Sequence, residues 1–136
     1  MPTQQSIILA AEPGLLRNAL QNLLSTFASV DTLVLTSDLP STLSALEKYA
    51  PTLIVVDADL LDADPEMAII VMQASVNGSK LLLLAADVAQ GRQLAVHPHH
   101  EVLLKGVRPE VLSDRIESIL GSAAVLPAVV ASKDCM

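Results

Sequence analysis

Short, almost wholly apolar runs alternate along this chain with longer stretches in which apolar residues recur every third or fourth position. Runs of the first kind, flanked by turn residues, predict strands buried on both faces of a parallel sheet. Ile7-Ile8-Leu9-Ala10 marks one such strand over residues 6–11, and Leu53-Ile54-Val55-Val56 another that ends in Asp57. Leu81-Leu82-Leu83-Leu84 marks a strand over residues 80–86, and Val102-Leu103-Leu104 a further one. Residues 30–36 alternate Val30, Thr32, Val34 and Thr36 against Leu33 and Leu35, which predicts the remaining strand.

Stretches of the second kind predict amphipathic helices, each with one buried face. After Pro13-Gly14 the apolar stripe is Leu15, Leu16, Ala19, Leu20, Leu23, Leu24 and Phe27. A second helix buries Leu39, Leu43 and Leu46; Ser37 or Asp38 suits its N-cap and Pro40 its first turn. Residues 66–74 predict a third helix, and Asn77-Gly78 a turn after it. Residues 87–96 predict a short fourth helix, weakened by Gly91 and closed by Pro98. A fifth opens at Pro109, carries Val111, Leu112, Ile116, Ile119 and Leu120, and ends at Gly121. Strand and helix in strict alternation predict an α/β sandwich: a doubly wound, five-stranded parallel sheet of order 2-1-3-4-5 with five helices. Residues 1–121 then make one domain, and residues 122–136, with Pro127, a tail or truncated linker.

Composition narrows the function. The chain has 136 residues, 51% of them hydrophobic, enough for one core. Phe27 and Tyr49 are its aromatics, so the core is aliphatic and stacking on nucleic-acid bases is nearly excluded. A formal charge of -7 without a basic stripe argues against nucleic acid and anionic membrane as partners. Cys135 stands alone, without an internal disulfide or a metal-ligand pattern. The first residues lack the features of a signal peptide, and no apolar run approaches the roughly 18 residues that span a bilayer, so a cytoplasmic location is expected.

Three charged residues follow apolar strands: Glu12 the first, Asp57 the third and Lys105 the fifth. In parallel sheets ligands bind beyond the carboxyl ends of the strands. Two acids and a base at that rim suit a divalent cation and a phosphoryl group. Asp57 alone reads equally as a turn or N-cap aspartate, and Lys105 alone as a solvated lysine or an ion-pair partner of Asp57. The acidic segment 57–66 reads as a solvated loop. An EF-hand would need glycine where Asp62 stands and glutamate where Ala68 stands. His97-Pro98-His99-His100 reads as a loop of exposed histidines, with Glu101 the one acid beside it.

Taken together, residues 6–120 resemble a response-regulator receiver domain of the CheY-like, flavodoxin-like fold. The stretch from Ile8 to Arg17 resembles the first strand and helix of receivers in LuxR-type transcriptional regulators. Pro51-Thr52-Leu53-Ile54-Val55-Val56-Asp57 resembles the strand that bears the phospho-accepting aspartate. Val102-Leu103-Leu104-Lys105, followed by Pro109-Glu110-Val111-Leu112, resembles the lysine strand and the helix after it.

The resemblance implies a non-enzymatic module of two-component, phosphorelay signal transduction. Asp57 is then the phospho-acceptor, fed by a histidine kinase, and Lys105 the partner of the phosphoryl oxygens. Mg2+ would be held by Glu12, Asp57 and the backbone carbonyl of Asp59, with weakened affinity. The resemblance leaves room for a fused DNA-binding domain in a longer parent protein; nucleic-acid binding is not expected of these residues themselves.

Four positions depart from the family pattern. Ala11-Glu12 stands where two adjacent acids are usual. Ala85, with Ala86 beside it, replaces the hydroxyl that binds the phosphoryl group. Val102 replaces the switch aromatic, and Leu61 the proline after the acceptor. These residues suit an atypical receiver. Two functions stay open: a phosphorylated receiver, or a module of the same fold that docks a partner or forms a weak homodimer without chemistry. A flavodoxin-like enzyme or nucleotide binder is a third class, disfavoured because Glu12-Pro13-Gly14 is no glycine-rich phosphate loop.

Overall fold

A computed structural model of the chain describes residues 5–28, 30–75, 79–94 and 100–125. Its strands are β1 (Gln5–Ala10), β2 (Val30–Thr36), β3 (Leu53–Asp57), β4 (Lys80–Ala85) and β5 (His100–Leu104). They form one sheet of order β2-β1-β3-β4-β5. All neighbouring strands are parallel. The helices are α1 (Leu15–Leu24), α2 (Leu39–Tyr49), α3 (Ala58–Ala63), α4 (Pro65–Ser75), α5 (Val88–Leu94) and α6 (Pro109–Val125). Strand order and alternation are as the sequence predicts, with one helix more.

Successive strand residues point to opposite faces, so the sheet divides the core in two. Ile8, Ala10, Ile54, Val56, Leu81 and Leu83 pack with Leu39 and Leu46 of α2, Leu60 and Leu61 of α3, and Val71 of α4. Ile7, Leu9, Leu53, Val55, Leu82 and Leu84 pack with Leu20 and Leu24 of α1 and with Leu112, Ile116, Ile119 and Leu120 of α6. Both faces are covered, which is why the central strands are apolar at consecutive positions rather than at alternate ones.

Four expectations need correction. The acidic segment is not a loop: Asp57 caps α3, and Leu60 and Leu61 turn inward while Asp59 and Asp62 stay exposed. Leu15 is 89% exposed and Ala19 is exposed. At 100° per residue both lie off the arc shared by Leu16, Leu20, Leu23 and Leu24. Val111 is likewise exposed rather than buried with Leu112. Finally, α6 continues through Gly121 to Val125. The expected Asn77-Gly78 turn, His97, Pro98, His99 and residues 126–136 lie outside the described residues.

Candidate functional site

The strand order changes direction between β1 and β3, because one leads outward to β2 and the other to β4. Crossover connections leave opposite faces there and open a crevice at the strand ends. Asp57, the last residue of β3, stands at that place. Its Oδ1 accepts the Asp59 N–H at 2.9 Å, so the aspartate that ends the strand also starts α3.

Lys105 arrives from the far side of β4. Its N–H donates to the Ala85 carbonyl at 2.8 Å, which fixes the turn after β5 against the end of β4. Its Nζ lies 2.7 Å from Asp57 Oδ1 and 2.8 Å from Asp59 Oδ2. The Lys105 and Asp57 side chains are 21% and 13% exposed, whereas Asp59 is 62% exposed. The first contact is therefore shielded from solvent and the second largely screened. Burial opposes the Lys105 charge, but the hydrogen bonds it donates to Asp57 and Asp59, together with the attraction of their charges, outweigh burial and raise its pKa. The same bond from Lys105, and then one from Gln90, hold the Asp59 carboxyl below the usual carboxylate range.

Gln90 is a site residue that the sequence reading missed. Its Oε1 accepts the Ala86 N–H at 2.6 Å. Its Nε2 donates to Asp62 Oδ2 at 2.6 Å and to Asp59 Oδ1 at 3.4 Å. The available signal was Asp87-Val88-Ala89-Gln90, which has the spacing of a capping box. Asp87 does cap α5, accepting the Gln90 N–H at 2.8 Å.

The structure thus brings Asp57, Asp59 and Lys105 together. Glu12 sits on the exposed surface just past β1. Ala10 pairs with Val56, so the next residues along the two strands are Ala11 and Asp57. Ala11 is buried there and brings no ligand. Among the described residues no three His, Cys, Asp or Glu side chains converge as a metal site. The donors at the rim are nevertheless all oxygens, as a hard cation requires. Mg2+ keeps several waters and needs only one or two carboxylates, so the Asp57 carboxylate at the strand end is a donor of the right kind. Ala85 is fully buried and supplies no hydroxyl.

No protein-family model matches the chain. No curated protein matches it either. Solved structures do. A two-component response regulator of the LuxR family from an Aurantimonas species superposes with a TM-score of 0.70 at 18% identity, covering 88% of this chain and 87% of that one. A CheY-like response regulator receiver domain from Methylobacillus flagellatus gives 0.69 at 15% identity, covering 86% and 99%. A DNA-binding response regulator of the LuxR family from Staphylococcus aureus gives 0.68 at 19% identity, covering 85% and 98%. The chain has the fold of response-regulator receiver domains. None of its described helices is long and apolar enough to cross a membrane.

Proposed function

We propose that this chain is an atypical receiver module of two-component signalling, with Asp57 as the phospho-acceptor. The observation that carries the reading is the 2.7 Å contact between Lys105 Nζ and Asp57 Oδ1 at the carboxyl end of the central strand. A shielded ammonium against the acceptor stabilises the negative charge that arrives with a phosphoryl group. In the transfer, a carboxylate oxygen of Asp57 bonds to phosphorus while the bond from phosphorus to the donor breaks. The electron pair leaves with the donor, a histidine kinase in the cell. Asp57 is consumed in each event, so the chain acts as a signalling module rather than an enzyme.

Lys105 then turns from its carboxylate partners to the phosphoryl oxygens. Glu12, Asp57 and the Asp59 backbone carbonyl are the groups that would hold Mg2+. When bound, the ion neutralises charge on the transferring group. Cytoplasmic residence belongs to this proposal, since histidine kinases present their phosphoryl group there.

The test is the intact mass of the protein after incubation with Mg2+ and acetyl phosphate, beside an Asp57→Ala control. One phosphoryl adduct, absent from the control, supports the reading. Without an adduct the fold serves docking alone, including the weak homodimer. Ala11 and Ala85 favour that second reading, because both take groups away from the phosphoryl site.

A further inference from the structure

We infer that Gln90 is a latch that opposes phosphoryl transfer to Asp57 and links that site to α5. The inference rests on the reading of Asp57 as acceptor. A capping box sends the Gln side chain to the backbone N–H of the capping residue itself. Gln90 reaches one residue further back, to Ala86, and spends its amide N–H groups on Asp62 and Asp59 of α3. One side chain therefore ties the end of β4 and the first turn of α5 to α3.

The latch shares an anchor with the candidate acceptor. Asp59 accepts from Gln90 through Oδ1 and from Lys105 through Oδ2, and Lys105 holds Asp57. The contacts form a chain from the Ala86 N–H to the Asp57 carboxylate.

Transfer replaces the single charge of the Asp57 carboxylate by close to two on the phosphoryl oxygens, a net gain of about one negative charge placed nearer Lys105 and Asp59. That charge draws Lys105 away from Asp59 and repels the Asp59 carboxylate, which then ceases to hold the Gln90 amide. Released, Gln90 also frees the Ala86 N–H, an unpaired donor at the rim that suits a phosphoryl oxygen. The same event loosens the first turn of α5. Ala85 and Val102 offer neither a hydroxyl nor an aromatic ring to report the phosphoryl group. Gln90 supplies a link of another kind.

Because the latch has to open for transfer to occur, removing Gln90 spares the cost of breaking its contacts and speeds the adduct. The experiment compares the wild-type chain and Gln90→Ala with Mg2+ and acetyl phosphate, in which an Asp57 oxygen bonds to phosphorus and acetate leaves. Intact mass follows the adduct, and deuterium exchange follows residues 88–94 before and after it forms. The expected result is an adduct about three- to tenfold faster in Gln90→Ala, the range set by the net worth of one hydrogen bond. Exchange in α5 rises on adduct formation in wild type and is already raised, without further change, in the variant. A purely structural role would slow the adduct or leave it alone; only a latch speeds it. Equal rates, or a wild-type α5 indifferent to the adduct, overturn the latch and leave the acceptor standing. No adduct on either protein overturns the acceptor and the latch together.

Discussion

Asp57 Oδ1 serves two partners at once: it accepts the Asp59 N–H at 2.9 Å and meets Lys105 Nζ at 2.7 Å. The start of α3 and the charge balance of the site therefore hang on one oxygen. Asparagine retains that oxygen and is a good N-cap, whereas alanine removes it. Asp57→Asn is expected to lower stability by less than about 1 kcal/mol, and Asp57→Ala by about 1–2 kcal/mol. Urea unfolding of both variants checks the difference, and equal losses would refute the capping role.

The ion pairs define a pH window. The Asp59 carboxyl titrates below its ordinary value of 3.8 in the folded chain. Its contribution is present above that value and is lost as the pH falls through the folded pKa. Lys105 is raised above its ordinary 10.5, so its contribution is complete below that value and is lost as the pH rises through the folded pKa. Solvent screening at Asp59 keeps its share below about 1 kcal/mol. Lys105→Met is expected to flatten both flanks of the stability profile. Thermal melts at pH 3 to 11, compared between wild type and variant, decide the point.

Gly91 sits inside α5 without a backbone reason to be glycine. A Cβ there would meet Ala85 Cβ at 3.7 Å, Val102 Cγ1 at 3.8 Å and Leu104 Cδ2 at 4.0 Å, all ordinary contacts. Gly91→Ala is expected to stabilise the chain by about 0.5–1 kcal/mol through unfolded-state entropy and helix propensity. The urea midpoint should rise with an unchanged slope. A lower midpoint would mean that the alanine methyl does not fit between α5 and β5.

The sheet was legible because burial on both faces leaves a simple mark, the runs Ile7 to Ala10, Leu53 to Val56 and Leu81 to Leu84. Asp57 and Lys105 were legible because each interrupts apolar sequence at a strand end. What escaped was decided by tertiary contact. Asp59 and Asp62 read as a solvated loop because carboxylates dominate the segment, yet Leu60 and Leu61 give α3 a buried face. Gln90 carries no charge and follows an exposed turn, so its reach to Ala86, Asp59 and Asp62 depends on how α5 docks. Leu15 and Val111 misled for the opposite reason: both are apolar, but the helix arc points them outward.

Ala11 is the position at which the site can be rebuilt. Residues 7, 9, 53 and 55 share one face of the sheet, so alternation puts Ala11 on the same side as Asp57, one step beyond the paired residues Ala10 and Val56. Its N–H is already fixed on the Thr36 carbonyl at 3.0 Å, so the backbone there is settled. Ala11→Asp puts a second carboxylate beside the first. Without metal, two like charges in a poorly hydrated place repel, and the variant is expected to lose about 1–3 kcal/mol. With Mg2+ the same pair becomes a chelate, and binding to the folded state alone returns stability by mass action, about 2.7 kcal/mol at a hundredfold excess over Kd. The expected signature is a Tm that rises with Mg2+ far more in the variant than in wild type, and a faster adduct from acetyl phosphate. Equal Mg2+ shifts in the two proteins would show that a carboxylate at position 11 does not reach the ion.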